Sequence, residues 1–255
     1  SLIIMAGIVA GMPTFAANLF EGGRTGSISG TTIALLLIIL VAMVLFICFM
    51  ERATRRLLIQ YPKRATQRGM MQADRSHLPL KLNTSGVIPP IFASSLLLLP
   101  ITVANFTKGQ GPEWLNSLTA MLGHGQPLFL VLYAALIIFF AFFYTSIMFN
   151  PVETADNLKK YGGFIPGIRP GERTAEYIDY VLTRITMIGA LYLVVVCLLP
   201  EFLIGYTGVP FYFGGTSLLI VVSVTMDTVA QVQGHLLAQQ YEGLIRKSKL
   251  RGSKR

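Results

Sequence analysis

The sequence predicts an all-α polytopic membrane protein, and three observations carry that prediction. Apolar stretches of about 20 residues recur along the chain, the length an α-helix needs to cross roughly 30 Å of hydrocarbon. Hydrophobic residues make up 53% of the chain and charged residues only 13%, whereas a soluble domain carries roughly 25% charged residues. Positive charge is confined to alternate connecting segments, the signature of a topology fixed by the positive-inside rule.

Taken in order, residues 1–19 are uncharged and form a first span, which could be a truncated one. Gly7 and Gly11 make a GxxxG there, which would allow close helix approach, and Pro13 would kink or end the helix. The chain starts inside this apolar run without a basic n-region or cleavage motif. The expectation is that an N-terminal part precedes it and that no signal peptide is present. Residues 32–50 are a second span with no polar stripe, unlike a buried helix of a soluble protein. Residues 51–86 form a basic loop whose Leu57, Leu58, Ile59 and Tyr61 predict a short β-hairpin. The span over 87–107 contains Pro89, Pro90 and Pro100 with small Ser94 and Ser95. Prolines cost backbone hydrogen bonds, so this span is expected to line a cavity or move rather than face lipid.

Residues 108–126 form a polar connection with Trp114 as an interfacial anchor, and 127–149 are an aromatic-rich span. A loop over 150–180 precedes a span over 181–200, with Arg184 near its start, where a long side chain can snorkel. The last span covers 212–233, followed by a basic tail over 234–255. Cys48 and Cys197 lie in apolar runs without metal-ligand spacing and read as small buried hydrophobes.

The distribution of charge sets the orientation. The loops at 51–86 and 149–180, the tail and Arg184 hold 19 of the 21 Lys and Arg residues. These segments are therefore expected on the cytoplasmic side, with the C-terminus inside.

One connecting stretch is unlike a linker. Gly162 to Gly171, GGFIPGIRPG, holds four glycines and two prolines in ten residues. Proline fixes φ and glycine opens φ > 0, so the stretch predicts a shaped turn. It presents Arg169 with Phe164, Ile165 and Ile168 beside it, as expected of a loop that inserts into a partner.

No HExxH, Walker, GxSxG or Cys/His cluster occurs, so the sequence predicts no catalytic residue, no metal site and no cofactor. On the residues alone two classes stand: a channel-like protein with docking loops, and a secondary transporter for a small solute, since carriers also use broken helices. A carrier is expected to show an ion-binding cluster at mid-membrane depth, and none is read here.

Four strings carry a closer assignment: HLPLKLNTSGVIPPIFASS (His77 to Ser95), FNPVETADNLKK (Phe149 to Lys160), FIPGIRPG (Phe164 to Gly171) and PFYFGGTSLLIVV (Pro210 to Val222). In order and spacing they resemble the SecY family, the central channel subunits of the bacterial Sec protein translocase. The resemblance covers essentially the whole chain but only the C-terminal part of a SecY, from the fifth of ten spans onward. It implies a SecY-type channel fold: the C-terminal half plus the fifth span of the N-terminal half. Function follows as an expectation. Such a subunit passes secretory polypeptides across the cytoplasmic membrane, releases membrane-protein segments laterally into lipid, and has no enzymatic activity of its own.

The resemblance also implies site residues. Ile4, Ile8, Ile91 and Ile220 would form an apolar pore ring. Pro89, Pro90, Ser94 and Ser95 would lie in the lateral gate, where the paired prolines depart from the single proline expected. Arg169, Lys159, Lys160, Lys63, Arg64 and Arg68 would dock partners, although for Lys63 and Arg64 the simpler role of orienting the loop also stands. The implied partners are the SecE and SecG channel subunits, the SecA motor ATPase, the ribosome, signal peptides and nascent chains, and membrane lipid.

Overall fold

The computed structural model describes residues 2–62, 65–66, 69–70, 75–106, 112–123, 125–208 and 214–252. Among these, six helical stretches are long and apolar enough to cross a membrane: Leu2–Arg24, Gly30–Arg52, Ile88–Phe106, Pro127–Lys160, Glu172–Thr207 and Gly215–Glu242. The chain divides into two compact units, one of Ser1–Leu40 with Ser217–Arg255 and one of Val41–Thr216.

The first unit begins with α1 (Leu2–Ala10) and α2 (Met12–Arg24). The break falls at Gly11, just before Pro13, whose missing N–H leaves the Val9 carbonyl without its helical donor. Among the described residues no atom of another segment lies within 4 Å of a side chain built at Gly7 or Gly11. The GxxxG expected to bring helices together is therefore not used that way among the described residues. α3 (Gly30–Arg52) runs from this unit into the second. The helix that closes the chain, α9 (Gly215–Gly252), starts in the second unit and continues in the first. Within the first unit, Thr225 Oγ1 donates to Val221 O at 2.7 Å and lies 3.7 Å from Met5 Sδ, where α9 meets α1.

In the second unit α3 leads into the expected hairpin. β1 (Thr54–Gln60) pairs antiparallel with β4 (Arg75–Lys81), from Thr54 opposite Lys81 to Gln60 opposite Arg75. A two-residue pair, β2 (Ala65–Thr66) with β3 (Gly69–Met70), lies between them. Alternation puts Leu57 and Ile59 on one face, and both are buried.

The remaining helices are α4 (Ile88–Phe106), α5 (Glu113–Met121), α6 (Pro127–Met148), α7 (Pro151–Lys160) and α8 (Glu172–Thr207). α7 falls inside the stretch expected as a loop, and its sequence explains why. Asn150 caps it, Oδ1 accepting from the Val152 and Glu153 amides at 3.1 and 3.4 Å, and Pro151 takes the first helical position. Lys159 and Lys160 sit in its last turn, where the helix dipole favours cations. α8 begins well before residue 181 and ends at Thr207, because its first turns pack on the hairpin rather than cross the apolar layer. Aromatic pairs join the long helices: Phe92 stacks with Phe140 at 5.7 Å between α4 and α6, and Phe46 meets Tyr192 edge-on at 5.7 Å between α3 and α8.

Candidate functional site

The two basic loops are one packed module. Gln60 and Phe164 exchange backbone hydrogen bonds of 2.9 and 3.0 Å, so the turn after α7 adds to the free edge of β1. Beneath this, Ile59, Leu158, Ile165 and Ile178 form one buried cluster, with Tyr61, Ile168 and Tyr177 against it. Leu57, Leu80, Val181 and Ile185 form a second. β1, β4, α7, the turn and the first turns of α8 therefore share a core, and both loops leave the membrane-spanning helices on the same side.

The turn is built from its own residues. Ile168 N donates to Ile165 O at 3.1 Å, with Pro166 and Gly167 between them and Gly167 at φ 84°. Proline followed by a positive-φ glycine is the type II signature. Arg169 comes next, exposed, and its carbonyl accepts from Thr174 Oγ1 at 2.9 Å. Ile165 is buried and Ile168 half-buried against the cluster beneath, so these residues anchor the turn inward rather than form the expected apolar inserting tip. Arg169 and the two prolines are exposed. Arg169 lines a shallow groove with Ile168, Arg173, Glu176 and Tyr180. Lys159 and Lys160 are exposed on the same module, whereas Lys63, Arg64 and Arg68 lie outside the described residues.

α4 is held at its start by contacts the sequence reading missed. Leu82 N donates to Ala53 O at 3.1 Å at the base of the hairpin. Asn83 Nδ2 donates to Glu51 Oε1 at 2.7 Å, and Ser85 Oγ donates to Asn83 Oδ1 at 3.3 Å. A Cβ at Gly189 would overlap the Leu82 carbonyl, so α8 passes against this entry at a distance only glycine permits. Glycine inside a helix with no turn signal around it was the available cue.

Pro89 and Pro90 are buried in the first turn of α4, where backbone N–H groups have no helical partner. The expected loss of hydrogen bonds therefore does not occur at this pair, and Pro100 is the only proline in the helix interior. Ser94 and Ser95 both donate to the Ile91 carbonyl, at 2.9 and 2.8 Å, so their hydrogens are used within the helix. Pro89, Phe92, Phe140 and Phe143 enclose an apolar cavity of about 140 Å3 between α4 and α6.

The four isoleucines of the expected ring fall in both units. Ile4, Ile8 and Ile220 belong to the first and Ile91 to the second. Ile4 and Ile8 are one turn apart on one face of α1; Ile4 is exposed and Ile8 half-buried. Ile220 is buried on α9, and Ile91 is half-buried beside the proline pair.

Spans joined on one side by a packed basic module, with a proline-started helix clamped beside it, define a polytopic α-helical membrane protein with a channel-type fold. The family model for SecY matches residues 1–229, and the chain belongs to the SecY family. It is 52% identical over 253 residues to protein translocase subunit SecY of Escherichia coli strain K12, covering 99% of this chain and 57% of that protein. The corresponding subunit of Vibrio cholerae is 51% identical over 256 residues, covering 99% of this chain and 58% of that protein. The chain thus spans a little over half the length of the curated relatives it matches. Two solved structures share the fold. One, described by the SecY plug domain stabilising the closed state of the translocation channel, has a TM-score of 0.62 and 17% identity, covering 91% of this chain and 58% of its own. The other, described as a protein-conducting channel, has a TM-score of 0.58 and 16% identity, covering 86% and 53%.

Proposed function

We propose that this chain supplies the larger part of a protein-conducting channel subunit of the Sec translocase. It passes secretory polypeptides across the cytoplasmic membrane and releases membrane-protein segments sideways into lipid, without catalysis of its own. The observation that carries this reading is identity of about half over nearly the whole chain to relatives named as translocase subunits. The same observation favours the channel over a small-solute carrier.

In this reading Ile4, Ile8, Ile91 and Ile220 form the constriction. β-branched apolar side chains keep water and ions out yet offer a passing chain no fixed polar partner. α4, carrying Pro89, Pro90, Ser94 and Ser95, is the lateral gate, met by signal peptides and nascent chains. Its serine hydrogens are already used internally, so it shows them an apolar face. The module of the loops at 51–86 and 150–180 lies in the cytoplasm with the C-terminus and docks the SecA motor or the ribosome. SecE and SecG complete the channel within the membrane.

Arg169 is the coupling residue in this account, because a rigid turn with apolar residues tucked inward leaves its guanidinium as the one charge at the tip. Arg169→Glu keeps 18 of the 21 basic residues on their side, so orientation and assembly survive. Reversing a buried interfacial charge costs roughly 2–5 kcal/mol. Translocation of a secretory precursor into vesicles carrying the intact channel, with assembled channel quantified alongside, tests this. Near-normal transport by the Arg169→Glu channel would sink the docking role.

A further inference from the structure

Where α6 ends and α7 begins, a cavity of about 520 Å3 opens against α8. The channel reading gives it no role. Its polar wall comes from Thr145, Ser146, Asn150, Asp179, Thr183 and Thr186, with Phe142 on the apolar side, and no lining residue is basic. α6 has 22 residues from Pro127 to Met148, enough for one bilayer crossing. Thr145 is in its last turn, so the cavity lies at the boundary between hydrocarbon and water.

The wall sets acceptors around one carboxylate, beside the Ser146 hydroxyl and the Asn150 side-chain N–H groups as donors. Thr183 Oγ1 donates to Asp179 O at 2.9 Å and Thr186 Oγ1 to Leu182 O at 2.8 Å, so both hydroxyls have used their hydrogens and keep only lone pairs. Asn150 Oδ1 is held by its helix cap. The Asp179 carboxylate makes no hydrogen bond or ion pair with another described residue. Thr145 is 4% exposed, and its Oγ1 has no hydrogen-bond partner among the described residues. A helical threonine ordinarily donates to the carbonyl four residues back, as Thr183 and Thr186 do, and a buried hydroxyl without a partner costs free energy. The cavity therefore calls for a cation that carries several hydrogens and is small enough to sit beside a carboxylate.

We propose that this cavity binds the primary ammonium of an aminophospholipid head group. An ammonium brings three donors and a positive charge, matching Asp179 and the threonine oxygens, while the acyl chains lie along the exposed apolar surface of α6 below Thr145. A trimethylated head group has the charge but no N–H, and an anionic head group meets a carboxylate in a cavity with no basic residue in its lining.

The test is independent of translocation. The intact membrane protein containing this segment is extracted from vesicles of phosphatidylethanolamine, phosphatidylcholine and phosphatidylglycerol, and retained lipid is counted by native mass spectrometry. Phosphatidylethanolamine should be retained in preference to phosphatidylcholine. Asp179→Asn, at an exposed position, should reduce that preference about ten- to a hundredfold, the effect of losing a hydrogen bond to a charged group. Thr145→Val, similar in shape, should reduce it about two- to tenfold. Phosphatidylglycerol retention should not fall in either variant, and in Asp179→Asn, which removes the repelling carboxylate, it should hold or rise. Unchanged phosphatidylethanolamine retention in both variants overturns the proposal, as does an equal loss of all three lipids. A further arm adds free ethanolamine to protein in phosphatidylcholine vesicles. If it raises the unfolding temperature of the unsubstituted protein as much as phosphatidylethanolamine does, and not that of Asp179→Asn, the ligand is a soluble amine and the lipid assignment falls.

Discussion

Isoleucines serve two unlike regions of this molecule. In the basic-loop module Ile59, Ile165 and Ile178 are buried against one another and Leu158. In the first span Ile3 is 87% and Ile4 51% exposed, and neither α1 nor α2 has a buried residue. The module owes its shape to contacts within this chain, working in water where apolar burial drives folding. The first span buries no residue among those described, and in a membrane helices have no hydrophobic reason to associate. Hydrophobicity reports burial in the first region and only location in the second.

The largest expected effect is therefore an unequal pair. Ile178 is fully buried, and Ile178→Ala should cost about 2–5 kcal/mol, as for other large-to-small core changes. Ile4→Ala should cost less than about 1 kcal/mol, since Ile4 is half exposed and loses little packing within the described residues. Thermal unfolding of the intact protein in one detergent, with loop proteolysis as a local readout, measures both. Equal destabilisation would mean that α1 is as firmly packed as the module.

Next comes the turn itself. Gly167 has φ 84°, and no atom lies within 4 Å of where a Cβ would stand, so a side chain there meets backbone strain but no clash. Gly167→Val should cost roughly 1–2 kcal/mol, and Gly167→Asn less, because asparagine tolerates the left-handed region. Protection of the Gln60 and Phe164 amides from hydrogen exchange should fall in that order. If both variants behave as glycine does, the type II turn is not what fixes Arg169.

These contrasts show how far the sequence could be read. The spans were legible because about 20 apolar residues have few other uses, and the hairpin because Leu57, Leu58, Ile59 and Tyr61 interrupt a strongly basic loop. The turn was legible because IPGI names its own geometry. The inward anchoring of Ile165 and Ile168 was not, because hydrophobicity beside an arginine fits an inserting tip and a packed one equally. α7 was overlooked although its signals, Asn-Pro at the start and two lysines at the end, are local; the glycines and prolines after it drew the whole stretch toward a loop. The Glu51–Asn83 bond joins residues 32 positions apart, and no local pattern marks such a pair. Proline was over-read at Pro89 and Pro90, whose cost depends on whether they open a helix or interrupt one.

A smaller effect should follow from the hydroxyl that pins the Arg169 carbonyl. Thr174→Val keeps the shape of a side chain that is 2% exposed and removes its hydrogen bond. The Arg169 carbonyl can turn to water, so the loss should be about 0.5–1.5 kcal/mol. Transport should fall less than in Arg169→Glu. A loss as complete would mean that the path of the turn matters more than the charge on it.

The smallest effect on the fold is expected at Lys159. It is exposed in the last turn of α7, and Lys159→Glu exchanges a favourable helix-dipole interaction for an unfavourable one, worth about 0.3–1 kcal/mol at low salt. Its effect on docking should differ from that of Arg169 in kind. An exposed charge acts through solvent with a Debye length of about 8 Å at physiological ionic strength, falling to about 3 Å at 1 M. A charge enclosed by a partner is screened far less. Binding of the purified motor ATPase to vesicles carrying the intact channel, measured across a salt series, separates the two. Lys159→Glu should weaken binding at low salt and match the unsubstituted channel at high salt, while Arg169→Glu should stay weak throughout. A Lys159→Glu defect that persists at high salt would place the anchor on α7 and leave the rigid turn as its support.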